Sequence, residues 1–267
     1  MNKYLKVFKV SFQQEFAYRV NFIMWRVRNV LQIFLVFFLW DTVFASPGRQ
    51  IFGYGREEIL TYVFGLLVVR AFVLSAKANE VGGEIARGDL NNYLLKPVNY
   101  FRYWLTRDVA SKALNLSFAF VETAFLYIIL KPSFFIQTNP LFLIGFLASA
   151  ALAMLIYFMI TLITGFVPFW SPVSTWGATF IVNAIFIEFL SGALFPLDIL
   201  PGAIQNILNY TPFPYMIFFP LQIYLGKVAG AEIMRAVLIS GIWVFVLWFI
   251  MNSIWRRGLK VYQAFGR

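Results

Sequence analysis

Charged residues are so sparse along this chain that the gaps between them outline its elements. From residue 132 to 187 no residue is charged. A helix needs about 20 apolar residues to cross ~30 Å of hydrocarbon at 1.5 Å per residue, so this gap holds two crossings and a turn. Pro168 and Pro172, with Ser171 and Ser174, mark the turn, because proline lacks the backbone donor a helix uses. The pattern predicts spans over 141–167 and 173–195, and another charge-free run predicts a span over 236–255. Three earlier apolar stretches carry ionisable residues: 22–45 with Arg26, Arg28 and Asp41, 59–76 with Arg70, and 113–130 with Glu122. The expectation is an all-α integral membrane protein of six spans, forming one transmembrane domain over 1–267.

Composition agrees. Of 267 residues, 61% are hydrophobic and 13% charged, too apolar for one soluble domain, and the 32 Phe, 8 Trp and 13 Tyr have no water-filled place to sit. With no Cys and no His, disulfides, thiolate nucleophiles, typical zinc sites and imidazole bases are excluded, and the redox compartment stays undetermined. The 12 Asp and Glu form no recognisable metal loop. An enzyme is therefore not expected, and no metal or cofactor is expected in this chain.

The net charge of +10 reads as topology once it is placed along the chain. Of the 22 Lys and Arg, 17 fall in residues 1–28, 70–112 and the tail after Trp255; Arg49, Arg56, Lys131, Lys227 and Arg235 fall on the other side. The positive-inside rule then puts both termini in the cytoplasm of a multi-pass protein of the cell (inner or plasma) membrane, with membrane lipid as partner. Nucleic acid is not expected, because the spans split the basic residues into three groups. Lys3, Lys6, Lys9, Glu15 and Arg19 interrupt the start, so no cleavable signal peptide is expected. Leu5, Phe8, Phe12 and Phe16 recur at helical spacing with the lysines on another face, predicting an amphipathic interface helix over 1–20. The alternative is a simple extension of the first span.

Two segments are not ordinary loops. In the cytoplasmic connection 77–112, Gly88 can end one short helix, Asp89 can cap the next and Pro97 can stop it, which predicts about two turns exposing Leu90, Leu94 and Leu95. So short a helix needs support, either from a docked soluble partner or from lipid headgroups. The outer segment 196–227 holds Pro196, Pro201, Pro212, Pro214 and Pro220 but only Asp198 and Lys227 as charges. Its apolar pieces, 203–210 and 215–225, are too short to cross, and counting one as a span would move Arg256, Arg257 and Lys260 outside. A re-entrant helical hairpin satisfies both constraints; an interfacial loop is the alternative.

At these segments the sequence resembles the permease subunits of bacterial ABC-2-type exporters. The resemblance rests on Gly88-Asp-Leu-Asn-Asn-Tyr-Leu-Leu-Lys-Pro-Val98, on Phe195-Pro-Leu-Asp-Ile-Leu-Pro-Gly202 and on Thr211-Pro-Phe-Pro-Tyr-Met-Ile-Phe-Phe-Pro-Leu221. It implies a pathway formed with a second copy or a related permease, seated on two ATP-binding cassette ATPase subunits. Residues 84–97 would hold the coupling helix, with Glu84, Gly88, Asp89, Leu90, Tyr93, Leu94, Leu95 and Pro97 at the contact. Gly202 would belong to the re-entrant hairpin with the five prolines. ATP and Mg would belong to the partner, and this chain indeed has no G-x-x-x-x-G-K-[ST] loop, Gly226-Lys227 lacking the upstream glycine.

The charges inside the spans leave alternatives open. Glu122 falls near the bilayer midplane, where a carboxylate is costly. It is either a proton-sensitive or cargo-contacting group, or it is paired with a neighbouring helix, Arg70 being the candidate, or protonated. Glu188 can brace the hairpin, and Arg70 can snorkel inward. Were these groups functional, the chain would be an ion-driven secondary transporter or channel; an intramembrane lipid enzyme ranks below both. The run Phe34-Leu-Val-Phe-Phe-Leu-Trp40 reads as lipid-facing or packing surface, with Trp40, Trp170 and Trp255 as interface anchors. Cargo is not legible.

Overall fold

The computed structural model describes residues 3–17, 19–44, 50, 52–172 and 175–262, with helices and no strand among them. Ala45, Arg49, Val173, Ser174 and Arg267 lie outside the described residues, as do the side chains of Phe16 and Arg19. The helices are α1 (Lys3–Ala17), α2 (Arg19–Val43), α3 (Arg56–Val73), α4 (Val81–Ala86), α5 (Asn91–Leu94), α6 (Tyr100–Leu130), α7 (Pro140–Gly165), α8 (Thr175–Phe180), α9 (Glu188–Leu190), α10 (Gly202–Leu208), α11 (Phe218–Tyr224) and α12 (Ala231–Val261). A 3₁₀ turn, Lys77–Glu80, leads into α4, and a π-helical stretch, Ile181–Ile187, joins α8 to α9.

Local chemistry sets the longer helices. Asn99 caps α6 by accepting from the Arg102 amide at 3.0 Å, and Asn139 caps α7 by accepting from the Leu141 amide at 3.0 Å with Pro140 at the first helical position. α6 ends where Lys131 turns left-handed (φ 44°) ahead of Pro132. α3 is buried on nearly every side, from Ile59 to Val73, and so occupies the centre of the molecule. α7 packs closely on α11 and α12: a Cβ on Gly145 would lie 2.8 Å from Ile233 and 3.2 Å from Ile223. The outward faces of α6 (Val121, Phe125, Ile128) and α12 (Leu238, Ile242, Phe245, Phe249) are exposed apolar stripes at helical spacing, as lipid contact requires.

Among the described residues three helices are long and apolar enough to cross a membrane, Tyr100–Leu130, Pro140–Phe169 and Ala231–Val261; Arg56–Val73 passes the same test together with Lys77–Ala86, from which it is bent by 54°, and makes a fourth if the pair is one broken span. The other two expected spans take different forms. α2 is one 25-residue helix, but it carries Arg26, Arg28 and Asp41. The fifth is a shorter apolar helix, Gly177–Leu190, that stops before Phe195 because Gly192 turns the chain at φ 86°. The helix of the third span begins at Tyr100, where Asn99 caps it, well before Ala113, and Arg107, Asp108 and Lys112 on its early turns find partners in the fold.

Candidate functional site

The connection between α3 and α6 folds back on the ends of the two helices that it joins. α4 ends at Gly88 (φ 81°), and α5 is a single turn, shorter than expected. Asp89 does not cap it: its carboxylate instead accepts from Arg87 Nε at 3.0 Å. Leu90, expected at the surface, is fully buried and anchors the turn, whereas Leu94 and Leu95 are 46% and 87% exposed. Two leucines thus project from a tip whose base is fixed.

A web of polar and aromatic contacts fixes that base. Tyr93 donates to Glu84 Oε1 at 3.0 Å and sits 5.0 Å from the Tyr103 ring. Arg107 of α6 pairs with Glu80 at 3.2 Å, lies 3.8 Å from Glu84 and stacks over Trp104 at 4.7 Å. Lys77 bridges Glu80 at 2.7 Å and Glu15 of α1 at 3.3 Å, and Lys3 donates to the Pro97 carbonyl at 2.8 Å. Burial pushes the Glu84 carboxyl above its ordinary range, against the pull of Tyr93 and Arg107. α1 and the short helices therefore form one unit. Beneath it Tyr100 stacks on Trp255 at 4.6 Å, with Phe101, Phe166 and Phe169 around the indole. Trp255 and Trp40 are thus core residues rather than interface anchors, while Trp170 is 53% exposed.

Both mid-span carboxylates are paired. Arg26 of α2 grips Glu122 through two parallel hydrogen bonds, Nε to Oε1 at 2.5 Å and Nη2 to Oε2, and reaches Asn115 at 3.3 Å. Arg70 pairs with Glu188, so it neither meets Glu122 nor extends to the inner surface. Each bridge ties a helix of the first half of the chain to a later one.

In the segment expected to form the hairpin, α10 follows Pro201 and starts at Gly202, and α11 carries Pro220 in its first turn, where a missing amide donor costs nothing. Pro214 accepts from the Phe219 amide at 3.0 Å, and Tyr215 stacks on Phe219 at 4.6 Å. Pro196 precedes the turn Leu197–Ile199, and Pro212 lies in the bend between the two helices. This segment is fastened to the N-terminal part of α3. Tyr54 donates to Asp198 Oδ2 at 2.6 Å, Gln222 donates to the same oxygen at 3.2 Å, and Tyr62 donates to the Gly192 carbonyl at 2.7 Å. Lys227 pairs with Glu58 at 3.1 Å and lies 4.3 Å from the centre of the Tyr54 ring. Burial raises the Asp198 carboxyl above its usual range, opposed by the Tyr54 hydrogen bond.

Several residues here carry no sequence signal that singles them out. Arg107, Asp108 and Lys112 read as surface charges of a cytoplasmic connection, yet all three are buried. Their only sequence mark is the helical spacing of Asp108 and Lys112. Tyr54 and Gln222 likewise gain meaning only through Asp198. Among the described residues no group of three or more carboxylates gathers as a metal site.

A model of the family described as ABC-2 family transporter protein matches residues 30–266, almost the whole chain. None of the curated proteins searched matches it.

Proposed function

The chain belongs to the ABC-2 family of transporter proteins, and from that premise we propose that it is the permease subunit of an ATP-driven exporter, coupled to separate ATPase subunits through residues 84–97. The observation that carries the proposal is the braced tip: Leu94 and Leu95 stand exposed on a turn held by Leu90, Tyr93 and Glu84. Two exposed leucines at a fixed spacing suit an apolar groove on a soluble partner. The partner would bind ATP and Mg and hydrolyse ATP in trans, and this chain would do no catalysis.

In this reading six helices cross the cell membrane with both termini inside. α2 joins the crossings because Glu122 neutralises Arg26 and Arg56 pairs with Asp41 at 2.6 Å, which lowers the cost of carrying those charges through lipid. Residues 177–190 reach only partway on their own, and the outer segment with α10 and α11 completes that half of the bilayer as a re-entrant hairpin sheltered by α3 and α7. A second permease copy, or a related chain, would close the pathway. ATP would draw the ATPases together, and the tip would follow; only a difference in its binding to the two states can shift the permease. An ion-driven mechanism needs a carboxylate free to exchange protons, and the arginines at Glu122 and Glu188 weigh against it.

Purification from native membranes tests the proposal. An ATP-binding subunit is expected to accompany the chain, and changing Leu94→Asp with Leu95→Asp is expected to cut its recovery roughly tenfold or more, as losing two leucines that the contact would bury implies. A chain that transports without any ATPase, or a double variant that retains the subunit in full, would contradict it.

A further inference from the structure

At its inner end α3 stops, and the chain bends by 54° into the short helices of the coupling region. Such a break exposes carbonyls where one helix ends and amides where the next begins, with partial negative charge at the first and positive at the second. Inside this bend both sets meet one pair of side chains on α6. Lys112 donates to the Val73 carbonyl at 3.0 Å and also to the Ser75 carbonyl, covering the end of α3. One turn earlier, Asp108 accepts from the Lys77 amide at 2.8 Å, covering the start of the 3₁₀ turn. The two side chains are 3.2 Å apart, and their exposures are 2% and 0%. Lys112 also lies 5.7 Å from the Tyr157 ring of α7.

A buried ion pair is weak evidence for stability, because removing two charges from water costs about what their attraction returns. This pair, however, has each charge set on the helix end of opposite sign, an arrangement that specifies geometry. We infer that Asp108 and Lys112 are positioning residues that lock the elbow between α3 and the coupling region against α6, so that movement of the tip at Leu95 turns α3 and α6 as one body. At the outer end of α3, Glu58 and the preceding Tyr54 hold the hairpin through Lys227 and Asp198, and Tyr62 holds Gly192 just ahead of it, so a locked elbow carries movement from the ATPase side to the outer segment. A loose elbow would let the tip move while α3 stays still. The inference rests on the proposed coupling role of residues 84–97.

The absence of cysteine makes the test direct. Tyr210, 84% exposed beside α10, is replaced (Tyr210→Cys) in the full complex with its ATPase in lipid nanodiscs, and its reaction rate with a membrane-impermeant maleimide is measured with and without ATP and vanadate. The parent rate is expected to change by roughly fivefold or more between the two conditions, the scale of ordinary allosteric coupling. Lys112→Met is expected to retain its ATPase subunit and ATP hydrolysis while the maleimide response disappears; Lys112→Arg, which keeps the charge and donors, restores most of it. A Lys112→Met complex that responds like the parent overturns the inference. Should that variant fail to assemble, Lys112→Gln, which keeps a donor without the charge, is expected to show a reduced response, and a full response overturns the inference. A parent that hydrolyses ATP with no change at Tyr210→Cys, or that holds no ATPase at all, overturns the coupling proposal itself.

Discussion

Arg26 and Glu122 show how a chain this apolar carries buried charge. Their side chains are 9% and 13% exposed, and two parallel hydrogen bonds satisfy both groups at once. Breaking such a pair leaves an uncompensated buried charge, at a cost of about 3–5 kcal/mol, whereas replacing both partners by apolar residues of similar size is close to neutral. Arg26→Met alone is therefore expected to lower the thermal unfolding midpoint in detergent sharply, and Arg26→Met with Glu122→Leu to recover most of the loss. A double variant as unstable as the single one would show that the pair does more than neutralise. Gly192 is a second sensitive position. Its φ of 86° disfavours any side chain by about 1–2 kcal/mol, and an added Cβ would come within 2.7 Å of the Tyr62 hydroxyl. Gly192→Ala is expected to destabilise by at least that amount in the same assay.

Asp198 gives a pH dependence whose sign follows from its burial. Its carboxyl is raised above 3.8, so the folded chain binds a proton more readily than the unfolded one. The stability it contributes is present below the unfolded value and is lost as pH rises through the folded value. The difference in unfolding midpoint between the parent and Asp198→Asn is expected to shift in the parent's favour as pH is lowered from about 7 towards 4, the ordinary carboxylate range. A shift the other way would mean that Tyr54, Gln222 and Lys227 outweigh burial.

At the scale of elements, the sequence was most legible where local chemistry acts alone. Gly88 ends α4 and Gly202 starts α10, because glycine, proline and Asn caps act on their own neighbours. What stayed hidden depends on lateral contact. Leu90 is buried because the chain folds onto α6, which no periodicity of a four-residue helix reveals. Glu122 meets Arg26 rather than Arg70 because depth along a helix does not say which neighbour stands beside it. Arg107, Asp108 and Lys112 look like solvent-facing charges until Glu80, Glu84 and the ends of two helices supply their partners. The fifth expected span carries a single charge, Glu188, yet it contains a π-helical stretch and ends early; apolarity reports the solvent around a segment and not its continuity.

Over the whole molecule, α3 stands between the two features that mark the family resemblance. Glu58 near its start pairs with Lys227 of the segment that carries α10 and α11, Tyr62 donates to the Gly192 carbonyl just ahead of that segment, and its C-terminal end meets the elbow held by Asp108 and Lys112. Three of the chain's ion pairs, Glu58 with Lys227, Arg70 with Glu188 and Arg26 with Glu122, tie an early helix to a later part of the chain. That arrangement suits a body that rocks as a unit, driven at one end and read out at the other. The account's central claim is that the driven end is the Leu94–Leu95 tip, and a single cysteine tests it most directly, since the chain has no other. Leu95→Cys, in native membranes and carrying a short photoactivatable cross-linker, is predicted to join the chain to an ATP-binding subunit and to resist impermeant thiol reagents added from outside intact cells. Labelling of Leu95→Cys from outside, or cross-links that reach no ATP-binding subunit, would contradict the account.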